Sequence, residues 1–412
     1  MLFQLFLRRL IRRGDLTVVL PGGKSFHIAG APFDALPPEE RPAPVRLAID
    51  DPKVLRRLPW HPALAFGEGY MDGTIRFEQG TLRDFLALFL SNASEAFDRP
   101  LSRAKGGIDR LIRRLHQNNP IPRAAKNVAH HYDLSPRLYE LFLDADRQYS
   151  CAYFPTGSET LEEAQAAKKR HLAAKLLLRP GMTLLDIGCG WGGTAIYLAK
   201  AFGVAVTGIT LSERQLEVAR ARAREAGLAD RVRFELMDYR EVRGRFDRIV
   251  SVGMFEHVGV RFYRAYFRAL RNLLAPDGVA LLHTIGRSDP PGDTNPWLRK
   301  YIFPGGYCPA LSEIMAAVER ERLTVTDVEV LRLHYARTLA LWHERFQSHR
   351  AEIAALLDER FCRMWEFYLL GSEMVFRHDQ QVVFQIQLAR DKTAVPDTRD
   401  YIAAFEAAHP SA

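Results

Sequence analysis

Cysteine is scarce: Cys151, Cys189, Cys308 and Cys362 are scattered over 412 residues, and none forms a Cys-x-x-Cys pair. That spacing excludes a disulfide framework and points to a reducing cytoplasm as the expected location. Long apolar runs are also missing, since nothing approaches the roughly 20 residues needed to cross a bilayer. The apolar opening, 1–11, is interrupted by Arg8 and Arg9 and lacks a small-residue cleavage site, so it does not read as a signal peptide. The histidines, including His61 and the pair His130-His131, lack ligand spacing, and no metal is expected. There is no internal repeat and no low-complexity tail. What remains is an ordinary globular composition, 47% hydrophobic and 26% charged. The net charge of +8 favours an anionic partner, but charge alone does not choose between nucleic acid and an acidic membrane surface.

The chain divides into an N-terminal domain (1–98), a basic connector (99–125), a catalytic domain (126–395) and a C-terminal tail (396–412). The first domain opens on a short helix, followed by a hairpin of 17–20 and 25–29 turned by Pro21-Gly22-Gly23. The proline-rich stretch 32–44 reads as irregular chain, Gly67-Glu-Gly-Tyr-Met-Asp-Gly73 as a glycine-punctuated turn, and 82–90 as a helix. The connector carries Arg103, Lys105, Arg110, Arg113 and Arg114, which suit a solvated helix face as well as anionic lipid headgroups. From Pro180 onward, β-rich runs (183–186, 204–210, 232–236, 248–252, 279–285) alternate with helices near 194–202, 213–226 and 263–274. This alternation predicts a doubly wound α/β domain with a parallel sheet. Two later runs, 323–330 and 382–388, are expected as its edge strands.

A glycine loop joins the first strand to the first helix in Thr183-Leu-Leu-Asp-Ile-Gly-Cys-Gly-Trp-Gly-Gly193. Glycines there permit a tight turn and close approach of a ligand to the backbone. Placing Asp186 just before Gly188, Gly190 and Gly192 resembles the first motif of class I methyltransferases rather than the dinucleotide fingerprint. The expected fold is accordingly a Rossmann-like S-adenosylmethionine-dependent core with a smaller N-terminal α+β domain. The cofactor's amino-acid end would lie along the loop. Thr210 closes the second strand, where ribose is recognised in such folds. Gln215 suits either a ribose contact or a capping box with Ser212. Asp238, after the third strand, is placed to bind the adenine amino group. Leu274-Ala-Pro-Asp-Gly278 is expected to be a turn ahead of the fifth strand.

Three further segments are more specific: Tyr149-Ser-Cys-Ala-Tyr-Phe154, Met254-Phe-Glu-His-Val258 and His283-Thr-Ile-Gly286. Asn127-Val-Ala-His-His-Tyr-Asp-Leu-Ser135, Tyr301-Ile-Phe-Pro-Gly-Gly306 and His334-Tyr-Ala-Arg-Thr-Leu339 accompany them. In this order, from about residue 67 to 390, the chain resembles the cyclopropane-fatty-acyl-phospholipid synthases and their mycolic-acid cyclopropane relatives. The N-terminal extension looks like that of the phospholipid-acting members. The resemblance implies that the alkene of an unsaturated acyl chain attacks the sulfonium methyl, and that loss of a proton then closes a three-membered ring. It implies bicarbonate as the base, held by backbone groups of Cys151 and Ile285 and by the side chains of Glu256, His283 and Tyr335. Tyr149 and Ser150 would contact the methionine end of the cofactor. Independently, Glu256 and His283 follow parallel strands at their carboxyl ends, where open α/β sheets bind ligands. His257 reads as structural, and Cys308 is not expected to touch substrate.

The implied partner is unsaturated phospholipid in a membrane, met peripherally from its inner face, with no nucleic acid. The resemblance also implies dimerisation. Leu2, Phe3, Phe6, Leu7, Leu10 and Ile11, with Arg8, Arg9, Arg12 and Arg13, suit an interfacial amphipathic helix or one packed on its own domain. A methyl- or methylene-branched product stays open, as does, at greater distance, a small-molecule or nucleic-acid methyltransferase or a catalytically silent membrane-binding protein.

Overall fold

The computed structural model describes residues 2–34, 36–37, 41–97 and 135–410; the connector expected at 99–125 lies outside them. The chain forms two compact units, and they divide it differently from the linear boundaries above. The first contains 1–109, 295–302 and 339–380; the second contains 110–294, 303–338 and 381–412.

The first unit carries a four-stranded sheet in the order β2-β1-β3-β4, from β1 (Asp15–Val19), β2 (Ser25–Ala29), β3 (Val45–Ile49) and β4 (Ile75–Gln79). The hairpin β1–β2 is the one expected. Helix α1 (Leu2–Leu10) docks on this unit, with Leu7, Leu10 and Ile11 buried in the core while Leu5 and Phe6 stay exposed. Helix α2 (Pro52–Arg57) leads into α3 (Pro62–Met71), which corrects the reading of 67–73 as a turn. Most of that stretch is helix because its glycines serve packing. A Cβ on Gly67 would stand 2.4 Å from the Trp297 ring, and one on Gly69 would stand 2.9 Å from Ile75. Only Gly73, at φ +72°, makes the turn. Helix α4 (Leu82–Phe97) runs further than expected. Later segments complete the unit: Trp297 meets Phe367 edge-on at 4.6 Å, and Leu370 and Met374 join the core. Glu68, nearly buried, accepts from Arg57, Lys300 and Tyr301, and these bonds lower its pKa to about 2.

The second unit begins with helices α5 (Pro136–Phe142) and α6 (Leu161–Lys175), and then alternates strand and helix. Its strands are β5 (Thr183–Ile187), β6 (Ala205–Thr210), β7 (Val232–Leu236), β8 (Phe246–Val252), β9 (Leu274–Arg287), β10 (Thr324–Leu331) and β11 (Gln381–Ala389). They form one sheet in the order β10-β11-β9-β8-β5-β6-β7, with β10 and β11 antiparallel to their neighbours. Adjacent residues feed two cores: Leu184, Val250 and Leu281 belong to one cluster, and Leu185, Ile249 and Leu282 to another. Helices therefore cover both faces, which is why these strands read as continuous apolar runs. One expectation changes here. β10 is an edge, but β11 is an interior strand, buried along nearly its whole length.

The 274–278 turn is present within β9. Leu274 pairs with Phe246 and Val279 with Arg248, so five residues advance against two and the chain folds back at Gly278. The tail is ordered as well. Its helix (Asp400–Ala408) docks on α6, where His171 bonds Glu406. Among the described residues, no helix is long and apolar enough to cross a membrane.

Candidate active site

At the carboxyl ends of β5, β6 and β8 lies a cleft enclosing about 1160 Å³ of space, part of it open to solvent. Strand β5 delivers Asp186, and the chain then turns through Gly188 (φ +85°) and Gly190 (φ +55°) into α7 (Gly193–Phe202). Any side chain at Gly188 would meet Met254 within 2.8 Å. The turn thus requires glycine twice over, for its φ and for the close approach. Tyr149, Ser150, Asp186, Gly188, Gly190, Thr210, Gln215 and Asp238 all line the cleft. Gly192 does not; it caps α7 in the left-handed region, packed against Phe234.

The electrostatics of the cleft are largely settled internally. Asp238 takes the Arg240 guanidinium on both oxygens, at 2.6 and 2.7 Å. Thr210 donates to Gln215 Oε1 at 3.0 Å, while the Gln215 N–H donates to Ser212 Oγ. The N-cap half of the capping box therefore forms, and the Gln215 side chain turns to the cleft instead of closing the other half. Asp186 is the exception. Burial raises its pKa to about 7, and its Oδ2 is buried without a hydrogen-bond partner. An unpartnered carboxylate oxygen facing a cleft fits a cationic ligand group, and adenosylmethionine carries two. Tyr149 stands edge-on to Tyr139 at 5.6 Å, and Trp191 leans on Tyr139 at 4.9 Å, so aromatic faces gather on the same side.

Beyond the cleft, the segment after β8 brings Glu256 to β9. Strand β8 ends at Val252, paired near His283, so the Ile285 N–H extends past its neighbour and donates to Glu256 Oε1 at 2.6 Å. The Ile285 N–H is thus engaged by Glu256. Oε2 of Glu256 is buried without a partner, and burial raises this carboxyl's pKa to about 7. His283, two residues before Ile285 and on the same face of β9, is held neutral by burial, its pKa lowered to about 3. Its Nδ1 lies 3.2 Å from the Gln385 amide nitrogen. Cys151 lies in a segment tied to the helix that carries Tyr335: Ala152 N–H donates to Thr338 and Phe154 N–H to His334, at the start of helix His334–Ser348; neither Cys151 nor Tyr335 lines the cleft. The Cys151 thiol is fully buried and pushed far up, so it stays protonated.

Sequence reasoning missed several cleft residues: Trp191, Met237, Arg240, Met254 and His257. His257, read as structural, lines the cleft, and Cys308 lies near Glu256. Their proximity to chain motifs was visible; their direction was not.

A seven-stranded sheet of this order, with a glycine loop and an acid at its first strand, defines the class I S-adenosylmethionine-dependent transferases. Residues 120–386 match the family model for mycolic acid cyclopropane synthetase, and the chain belongs to that family. It is 38% identical over 350 residues to the cyclopropane-fatty-acyl-phospholipid synthase of Escherichia coli K12, covering 84% of this chain and 88% of that one. It is 43% identical over 260 residues to a "Probable fatty acid methyltransferase" of Pseudomonas putida, covering 61% and 66%. Among solved structures, mycolic acid cyclopropane synthase CmaA1 complexed with SAH and CTAB aligns at TM-score 0.62 and 36% identity, covering 66% of this chain and 99% of that one.

Proposed function

We propose that this chain transfers the methyl carbon of S-adenosylmethionine to the double bond of unsaturated phospholipid acyl chains and closes a cyclopropane ring. The observation that carries the reading is Glu256, fully buried beside the cleft wall of Met254 and His257, with one oxygen fixed by Ile285 and the other unpartnered. Such a carboxyl suits a ligand that presents an O–H to it, as bicarbonate does. When bound, the cofactor supplies an electrophilic methyl. The alkene carbon takes it, leaving a cation on the other carbon, and a proton must then leave the new methyl as the ring bond forms. Bicarbonate fits as the base. Glu256 would accept its O–H, and neutral His283 and Tyr335 would donate to its oxygens. The backbone of Cys151 closes the pocket. Water would trap the cation, and the aromatic and aliphatic surroundings of Glu256, including Phe255 and Tyr263, exclude it.

Support for the lipid comes from the E. coli relative, which matches across both units, and from exposed Leu5 and Phe6 beside exposed Arg8 and Arg9 on α1. In this reading the first unit meets the inner membrane surface peripherally, and binding to anionic vesicles weakens with salt. Undiminished binding at high salt removes electrostatics as the main driver. The test of the chemistry is incubation of the protein with labelled adenosylmethionine, bicarbonate and monounsaturated phospholipid vesicles, followed by proton NMR of the extracted lipid. Upfield cyclopropane signals are expected. Unlabelled lipid from protein that binds cofactor overturns the proposal. Vinylidene signals instead favour a branched product, the second reading, which the similarity to a fatty acid methyltransferase supports.

A further inference from the structure

Lys168 is a fully buried lysine one layer behind the cofactor cleft, and neither hydrogen-bond partner carries charge. Its ammonium donates to Gln148 Oε1 at 2.6 Å and to Ser150 Oγ at 2.9 Å. Both partners line the cleft, and Gln148 Oε1 also accepts from Thr194 in the first turn of α7. A buried cation whose hydrogen bonds go only to neutral groups is costly in general; Asp144 and Asp146 offset it only at longer range, and a ligand carboxylate at Ser150 would add the nearer negative charge. The other cations at this end of the sheet are already matched: Arg147 with Glu140, Lys169 and Arg222 with Asp146, and Arg240 with Asp238. Opposite in character is Asp186, whose Oδ2 has no partner. Lys168, hydrogen-bonded only to neutral groups, and Asp186, with one oxygen unpartnered, flank the same loop and suit the two ends of a zwitterion.

We propose that Lys168 is the positive pole of the cofactor site, a positioning residue that orients the amino-acid end of adenosylmethionine by its carboxylate, through Ser150 and Gln148. This rests on the placement of that end along 149–150 and the glycine loop. The ionisable groups facing Lys168 are Lys169 on its own helix, Asp144, Asp146 and Cys151 on the preceding segment, Asp186 on β5 and His283 on β9. Burial lowers the pKa of the ammonium to about 8, so it is charged at neutrality and loses its charge above that pH.

The test compares calorimetric binding of S-adenosylhomocysteine with that of its decarboxylated analogue, S-adenosyl-3-thiopropylamine. Wild type should prefer the carboxylate-bearing ligand by about 10- to 100-fold, the range of a charge-assisted hydrogen bond. In Lys168→Met the preference should collapse toward unity while analogue affinity stays within about threefold; Lys168→Arg should restore part of it. Equal weakening of both ligands by Lys168→Met, or no change, overturns the proposal. If Lys168→Met does not fold, wild type still decides: the preference should fall as pH rises from 7 to 9, and a constant ratio overturns the proposal. Failure of wild type to bind S-adenosylhomocysteine would overturn the cofactor placement itself.

Discussion

The cleft and the buried Glu256 beyond its wall lie at the same sheet end, yet they differ in how far their charges are matched. In the cleft, Asp238 is matched with Arg240, and Asp146 behind it with Lys169 and Arg222, before any ligand arrives, while Asp186 keeps one unpartnered oxygen. Glu256, by contrast, has no cationic partner among the described residues and is held by the Ile285 N–H, while His283, two residues earlier on β9, is neutral. Matched charges give a preorganised wall that a ligand need not rearrange. An unmatched buried carboxyl is instead a group whose protonation is decided locally, and such groups concentrate where protons move. Under the proposed function, that difference suits cofactor binding in one region and proton handling in the other.

The sharpest way to break that comparison is Glu256→Gln. The amide keeps size and one acceptor but removes the titratable group. Product formation should fall by about 10²- to 10⁴-fold, the usual worth of a positioned acid or base, with S-adenosylhomocysteine affinity unchanged by calorimetry. An equal loss of cofactor affinity would merge the two regions into one. In wild type at fixed bicarbonate concentration, the initial rate should drop as pH falls below about 7, where the raised pKa leaves Glu256 protonated. A rate flat from pH 6 to 8 would contradict the carboxylate as acceptor.

A smaller effect separates the regions from the other side. Asp238→Asn leaves Arg240 without its partner in the cleft wall, and the cost should fall on cofactor affinity, about 10-fold or more, consistent with loss of a charge-assisted bond. The pH dependence attributed to Glu256 should not move. A shifted profile would mean that the two sites titrate together.

The legibility of the two regions differs for a physical reason. The cleft is built by sequence-local devices: Asp186 ends a strand, the glycines turn the chain and the next helix follows. A strand-and-turn reading therefore recovers its residues in order. The seven-stranded sheet was legible in the same way, apart from β11, whose interior position follows from pairing partners that periodicity does not name. Arg240 and Met254 lay next to recognised motifs, but nothing in the spacing says which way a side chain points. Lys168 was invisible, because on sequence it is one lysine in a helix with charged neighbours. The first unit was least legible. Its recruitment of Trp297 and of the helix Glu359–His378 depends on contacts across more than 200 residues, and Gly67 looks like a turn residue until its ring partner is known.

The last effect concerns stability, read as a shift of a few °C, and it follows from the same unmatched carboxyl. Glu256 has a folded-state pKa of about 7, above its ordinary 4.5, so between those values the folded chain holds a proton that the unfolded chain has released. Stability attributable to this group is therefore full below pH 4.5 and declines until about pH 7, by on the order of 3 kcal/mol. Glu256→Gln cannot ionise and should escape the decline. Its Tm should match wild type near pH 4.5 and exceed it by a few °C at pH 8. His283, neutral when buried and wanting a proton in acid, lowers stability in the opposite direction as pH falls, but it does so in both proteins and drops out of the difference. A variant that loses activity while gaining stability only at high pH marks Glu256 as kept for chemistry against a folding cost. A Tm gap independent of pH would instead assign the change to packing, and would remove Glu256 as the group that titrates.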